Sequence, residues 1–457
     1  MGAAMKRFWI ILVLALLGCL TLEAQQFPEP TELSGQPFAI KKTWVVGGEG
    51  NWDYLTLDPN ALQLFVAHGP VVQVVDVGTG TVTGVVSGMK DAHGIALDDS
   101  GAFGYISDGP SNEVKVFDRR TLEVVATVRT GPNPRAIVFD PSTKLVFAIC
   151  TEPSGQPAGN PGNPLIAARQ ASRPPGGTRR SPSGQGEYDP ELRSVVTVID
   201  TQTSTRLADI LLPGKLGFAQ TDGEGHIFIN ITDRNQIVRL GTRAVEAELH
   251  KPPQPPERSA SAKPGTAPDS GPGPASGSSQ TGKPQSEAAG SQRAYVTVDW
   301  SRRVNVFSLG SSCVDPRGLA ADTSHARLFV ACSNMKMEVL NSDTGDGIAT
   351  LPIGPGADAI GYDANRGLIF TSNGGGDGSV TVIRQHVTDA YAVVQELPTR
   401  QRARTLAVNP TNGEVYIVTN LIGFDLNEKG VGGSAHTLPV VQSKDVTGSF
   451  QVLVIGN

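Results

Sequence analysis

Seven positions in this 457-residue chain have the residue types and the spacing to build one chemical site: Asp53, His93, Arg135, Gly217, Arg317, Asp358 and Arg404. Six of the seven are ionisable, whereas the residues that follow them are mostly apolar or small. Three arginines among them suit an anionic ligand, because the guanidinium fork grips a carboxylate or phosphate with two parallel hydrogen bonds. Trp52 and Tyr54 flank Asp53, so the candidate ligand-binding set is Trp52, Asp53, His93, Arg135, Arg317, Asp358 and Arg404. Converging charges of both signs at a concave mouth make a binding site the default hypothesis. A structural reading stands beside this one: Asp53 and Asp358 neutralise the arginines and hold neighbouring units in register.

Catalysis at the same place is an open alternative. His93 beside a carboxylate has the chemistry of a general base, which would serve a lactonase-like hydrolase, or the mouth could serve an oxidoreductase. The sequence has no Gly-x-Ser-x-Gly elbow and no evidently activated cysteine, so no nucleophile is assigned. His68, His93, His226, His250, His325, His386 and His436 are scattered, without His-x-x-His or His-Glu-x-x-His spacing. No metal site is therefore expected, although His68 and His93 fall on one face as an unassigned pair. Without Cys-x-x-Cys-His no covalent haem is expected either, and no cofactor is assigned.

The seven positions must be placed by a repeating element. Each stands five residues before a marker that closes a short β-type run: Asp58, Asp98, Asp140, Asp222, Asp322, Asp363 and Asn409. Seven residues after the marker comes an aromatic: Phe65, Tyr105, Phe147, Phe329, Phe370 and Tyr416, with Phe228 one residue early in the fourth unit. The second unit, residues 92–131, shows the pattern most cleanly: four short β-type runs separated by Asp-Ser-Gly, Asp-Gly-Pro and Asp-Arg-Arg-Thr turns. Four antiparallel strands in about 40 residues is the size of one propeller blade. The fold class is all-β, a seven-bladed propeller over residues 38–457. The seventh unit has three runs only, and the β-run at 38–46 supplies the fourth, closing the ring and removing open sheet edges. The start of every inner strand then lies at one mouth of the central channel, where the seven positions converge.

Two marker intervals, 82 and 100 residues, are about twice the others. Each holds a segment rich in Pro, Gly and Ser, residues 152–192 in unit three and 252–293 in or after unit four. Such composition buries too little apolar surface to order itself, and both are expected to be disordered insertions. The outer strand of unit four is left open among 245–249, 295–300 and 304–309.

Residues 1–24 carry Lys6 and Arg7, an apolar run and then small residues, the form of a secretory signal. The sequence around Cys19 also resembles a lipobox, and simple cleavage after Ala24 is the preferred reading. A periplasmic or secreted location follows. Beyond the leader no run is apolar and long enough to span a membrane. In an oxidising compartment Cys313 and Cys332, at the two ends of one hairpin, are expected to form a disulfide; two buried thiols are the alternative. A net charge of −6 argues against a nucleic-acid surface. A monomer is expected.

Phe65-Val-Ala-His68, Tyr105-Ile-Ser-Asp108 and, most closely, Tyr416-Ile-Val-Thr-Asn420 resemble the YVTN repeat of secreted bacterial seven-bladed propellers. The chain is similar to the YncE-like group over roughly residues 44–457, apart from the two insertions. The resemblance implies the fold. It leaves function open, because similar propellers serve as enzymes, haem binders, surface proteins and adaptors. The expected function is a binding or interaction module, with an anionic small molecule or a protein partner at the channel mouth.

Overall fold

A computed structural model describes residues 36–151, 193–250, 296–387, 389–427 and 440–457. The expected leader, both expected insertions and the lipobox cysteine lie outside the described residues. Seven antiparallel sheets are arranged in a ring, each running from an inner to an outer strand. Blade two is typical: Ala92–Leu97 pairs with Phe103–Asp108, that with Glu113–Asp118, and that with Val124–Arg129.

Each blade is built on its marker residue. Asp58 accepts the backbone N–H groups of Asn60 and Ala61, and Asp363 accepts those of Asn365 and Arg366. Asn409 accepts Thr411 N–H in the same way. The side chain thus mimics a backbone turn partner and fixes the hairpin between inner and second strands. The following aromatic lies in the second strand, and all seven, from Phe65 to Tyr416, are buried in the seams between blades.

Blade four explains its own irregularity. Phe228 pairs with Gln220, two residues before the marker, just as Phe65 pairs with Thr56 and Tyr105 with Ala96. The hairpin is one residue shorter there, with Asp222 N–H bonding His226 O. The aromatic keeps its register on the sheet and loses its offset in sequence.

The open question about this blade's outer strand is also resolved. Asn305–Ser308 pairs antiparallel with Gln236–Gly241 and is the outer strand. Val296–Asp299 instead adds to blade three as a fifth strand, parallel to Thr205–Pro213. Residues 242–249 form a helix, Thr242–Leu249. Val245 is buried, and Thr242 Oγ1 donates to Asp140 at 2.7 Å, which ties the helix to the blade-three hairpin.

Ring closure occurs as expected. Ala39–Val45 pairs antiparallel with Gln451–Gly456 as the outer strand of blade seven. Trp44 stacks on Tyr416 at 5.7 Å between ring centroids. Phe38 packs edge-on against Phe370 at 5.2 Å, and its backbone N–H and C=O are both bonded to Gln395 of blade six. The link expected between the second and third strands of blade seven carries a hairpin of its own, Ile422–Asn427 with Val440–Asp445.

Candidate functional site at the channel mouth

The inner strands are not regular where they begin. Register shifts fall between Trp52 and Leu55, Ala92 and Ile95, Pro134 and Ala136, Leu216 and Ala219, Pro316 and Leu319, and Ala357 and Ala359. The seven candidate positions therefore sit on a β-bulge in six of the blades. A bulge leaves its extra residue unpaired and re-aims the side chain. Here it turns Asp53, Arg135, Arg317 and Asp358 out of the sheets and into the mouth.

Hydrogen bonds from blade to blade fix these bulges. Ser107 Oγ donates to Arg135 O at 2.6 Å, Asn230 Nδ2 to Arg317 O at 2.6 Å, and Thr405 Oγ1 to Asp53 O at 2.8 Å. Ser372 Oγ holds Arg404 O in the same fashion. In each case a polar side chain of one blade satisfies the carbonyl of a mouth residue in the next, so the mouth is preorganised by the ring.

A cavity of about 820 Å³ opens there, lined by Asp53, Arg135, Gly217, Arg317, Asp358 and Arg404 among others. Five of the seven residues proposed from sequence as a ligand site thus share one wall. The other two do not reach it. Trp52 is 1 % exposed and packs against Phe450 at 5.6 Å, with Arg404 and Arg402 over its ring at 5.4 and 4.9 Å. Alternation along the strand sends its side chain into the seam between blades seven and one. His93 is 6 % exposed and lies behind Asp53, with Nδ1 2.7 Å from Asp53 Oδ2 and Nε2 3.8 Å from Asp91. It is a positioning residue, since no atom of it lines the cavity. His68 is buried against Phe450 at 3.9 Å and bonded to Gln73, so the pair of histidines does not share a site.

The charged groups are unequally satisfied. Asp53 is held by His93 and by Arg135 Nη2 at 3.0 Å. Burial disfavours its charge, but those two partners outweigh burial and hold its carboxyl below the ordinary carboxylate range. Arg317 donates to Asp315 at 2.5 Å and to Ser333 at 3.1 Å. Arg404 donates from Nη2 to Trp52 O at 2.6 Å, and its buried Nε has no partner among the described residues. Asp358 is different. Among the described residues its carboxylate has no hydrogen bond or ion pair. Burial, then repulsion from Asp53, raise its carboxyl above the ordinary range despite the neighbouring arginines.

Sequence reasoning missed one pair at this site. Tyr54 and Phe218 stand one residue after Asp53 and Gly217, where blades two, three, five and six carry Gly94, Ala136, Gly318 and Ala359. Their rings meet at 5.2 Å across the channel. Both residues line the mouth cavity and also a second cavity of about 480 Å³ in the channel behind it, so they form the partition. The signal was present: two large residues at a position that is otherwise small.

Cys313 and Cys332 are joined in a disulfide with Cα atoms 5.3 Å apart. It anchors the segment carrying Val314 and Asp315, which line the cavity. Cys150 is buried and forms no disulfide among the described residues. Among the described residues no helix is long and apolar enough to cross a membrane, and no group of three or more His, Cys, Asp or Glu side chains is placed to hold a metal ion.

No protein-family model matches the chain, and no curated protein matches it in sequence. Solved structures match its fold. The WD40 repeats of RRP9 align over 82 % of this chain and 88 % of theirs, with a TM-score of 0.53 and 8 % identity. U3-55K aligns over 90 % and 97 %, with a TM-score of 0.54 and 9 % identity. A chain of the mitotic checkpoint complex aligns over 86 % and 93 %, with a TM-score of 0.54 and 11 % identity. At these identities the likeness is one of architecture.

Proposed function

We propose that this seven-bladed propeller is a binding module whose ligand or partner docks at the mouth lined by Asp53, Arg135, Arg317, Asp358 and Arg404. The observation that carries the reading is Asp358: a carboxylate lining a cavity and, among the described residues, without a hydrogen bond or ion pair. A network whose purpose was purely structural would pair it with one of the arginines that line the same cavity. Architectural likeness to WD40 repeats and to a chain of a multiprotein complex supports an interaction role. The YVTN-like second strands support a place among the secreted bacterial propellers. A disulfide in the blade-five hairpin is in keeping with an oxidising compartment. Hydrolysis through His93 has no support from the geometry, since the imidazole is packed behind Asp53 and away from the cavity.

The test is thermal denaturation of the full chain against carboxylates, phosphates, amines, oligosaccharides, divalent metals and haem. A ligand that binds the folded state raises its melting temperature by mass action. A compound that stabilises the wild type, and neither Asp358→Ala nor Arg317→Ala, supports the mouth as a binding site. Equal stabilisation of all three proteins contradicts it.

A further inference from the structure

The mouth cavity is electrically balanced, and this bears on what it takes. Four carboxylates and four cationic side chains line it. Two of the arginines that suggested an anionic ligand are paired within the protein, Arg135 with Asp53 and Arg317 with Asp315. Among the described residues two charged groups on neighbouring blades line the cavity without an ion-pair partner: the Asp358 carboxylate of blade six, and the Arg404 guanidinium of blade seven, whose hydrogen bond is made from Nη2 to Trp52 O. An anion bound here would sit beside an uncompensated carboxylate. A cation bound here would sit beside the Arg404 guanidinium, which no carboxylate among the described residues pairs with. A group that donates to one and accepts from the other, and imports no charge, satisfies both. A hydroxyl does this, having one donor and two acceptor sites, and two adjacent hydroxyls do it at once. The floor of the same cavity is aromatic, Tyr54 against Phe218 at 5.2 Å. An aromatic face accepts the C–H face of a sugar ring, and a large cavity with a few convergent polar groups accepts a ligand of that size.

We propose that the mouth takes a neutral polyhydroxylated ligand, an oligosaccharide, with a vicinal diol between Asp358 and Arg404 and a sugar ring on Tyr54. This rests on the mouth being the binding site. The raised carboxyl of Asp358 agrees with it, because the group is held in a state that a hydroxyl donor relieves.

The experiment is a glycan array of neutral oligosaccharides probed with the full chain, followed by calorimetric titration of the best-bound glycan. Succinate, inorganic phosphate and 1,4-diaminobutane are titrated alongside. A neutral oligosaccharide should bind, and its affinity should fall roughly tenfold or more in Asp358→Asn and in Tyr54→Ala. Val125→Thr, on the exposed outer strand of blade two, should leave it unchanged. Melting temperatures within a few degrees of wild type show that the variants fold, and Asp358→Asn keeps the shape of the side chain it replaces. If succinate, phosphate or the diamine binds instead, and loses affinity in Asp358→Asn or Arg317→Ala, the sugar assignment is overturned and the mouth remains the site. If no probe binds, or a glycan binds equally to wild type and mouth variants, both are overturned.

Discussion

Asp53 and Asp358 occupy one cavity and respond to pH in opposite senses. Asp53 ionises more readily in the folded chain than in the unfolded one. Its contribution to stability is present above the ordinary carboxylate range and is lost as pH falls through its lowered folded value. Asp358 ionises less readily when folded. Its cost is absent below the ordinary range, grows as pH rises toward its raised folded value, and is full at neutral pH. At pH 7, Asp53→Asn should therefore lower stability, by roughly 2 kcal/mol, by weakening the bonds to His93 and Arg135. Asp358→Asn should raise the melting temperature at pH 7 and leave it unchanged near pH 3. Denaturation curves at the two pH values read both effects. The marker residues belong to the same scale. Asp140 is fully buried and accepts from Ser142, Thr143 and Thr242. Asp140→Ala should cost roughly 3 kcal/mol, because several buried hydroxyls lose their shared acceptor together, and urea denaturation would show it.

At the scale of the element, the inner strand and its bulge decide what the mouth displays. The bulges require close approach between blades, and glycine allows it: a Cβ on Gly318 would lie 2.8–2.9 Å from blade-six backbone atoms. Gly318→Val should destabilise by roughly 2–3 kcal/mol through overpacking, measurable as a lowered denaturation midpoint. The disulfide acts on the segment that precedes the same strand. Its two cysteines lie 19 residues apart, so the paired change Cys313→Ser with Cys332→Ser should cost about 3 kcal/mol by freeing the unfolded chain. Mouth position was legible in the sequence because a fixed offset from a turn residue survives every insertion. Side-chain direction was less legible. Trp52 and Asp53 are adjacent, yet one enters a seam and the other the cavity, because the bulge begins between Trp52 and Leu55. His93 carries the same offset as Arg135 and both bond Asp53, but the short imidazole ends behind that carboxylate, whereas the longer arm of Arg135 lines the cavity.

At the scale of the whole molecule, seven blades form a ring only because both chain ends meet in one sheet. Ala39–Val45 is joined to blade seven by pairing along its length and by Trp44 stacked on Tyr416. Trp44→Ala should cost roughly 3–4 kcal/mol, and removal of residues 36–46 should expose the edge of Gln451–Gly456 and promote self-association, visible by light scattering. The architecture could be read from sequence because blade seams demand one aromatic per unit at one register. It was obscured at blade four, where a hairpin shorter by one residue and the sequence between the third and outer strands broke the spacing. The extra strand on blade three and the helix Thr242–Leu249 had no signal of that kind, since neither belongs to the repeat.

The central claim is that the mouth is where this protein binds. The most direct measurement is a crystal structure of the full chain with the compound that most raises its melting temperature. The account predicts density for that compound between the blade-six and blade-seven sides of the cavity, with a polar atom of the ligand within hydrogen-bond distance of Asp358. Density on the outer strands or on the opposite face of the ring, with the mouth carrying solvent alone, would contradict it.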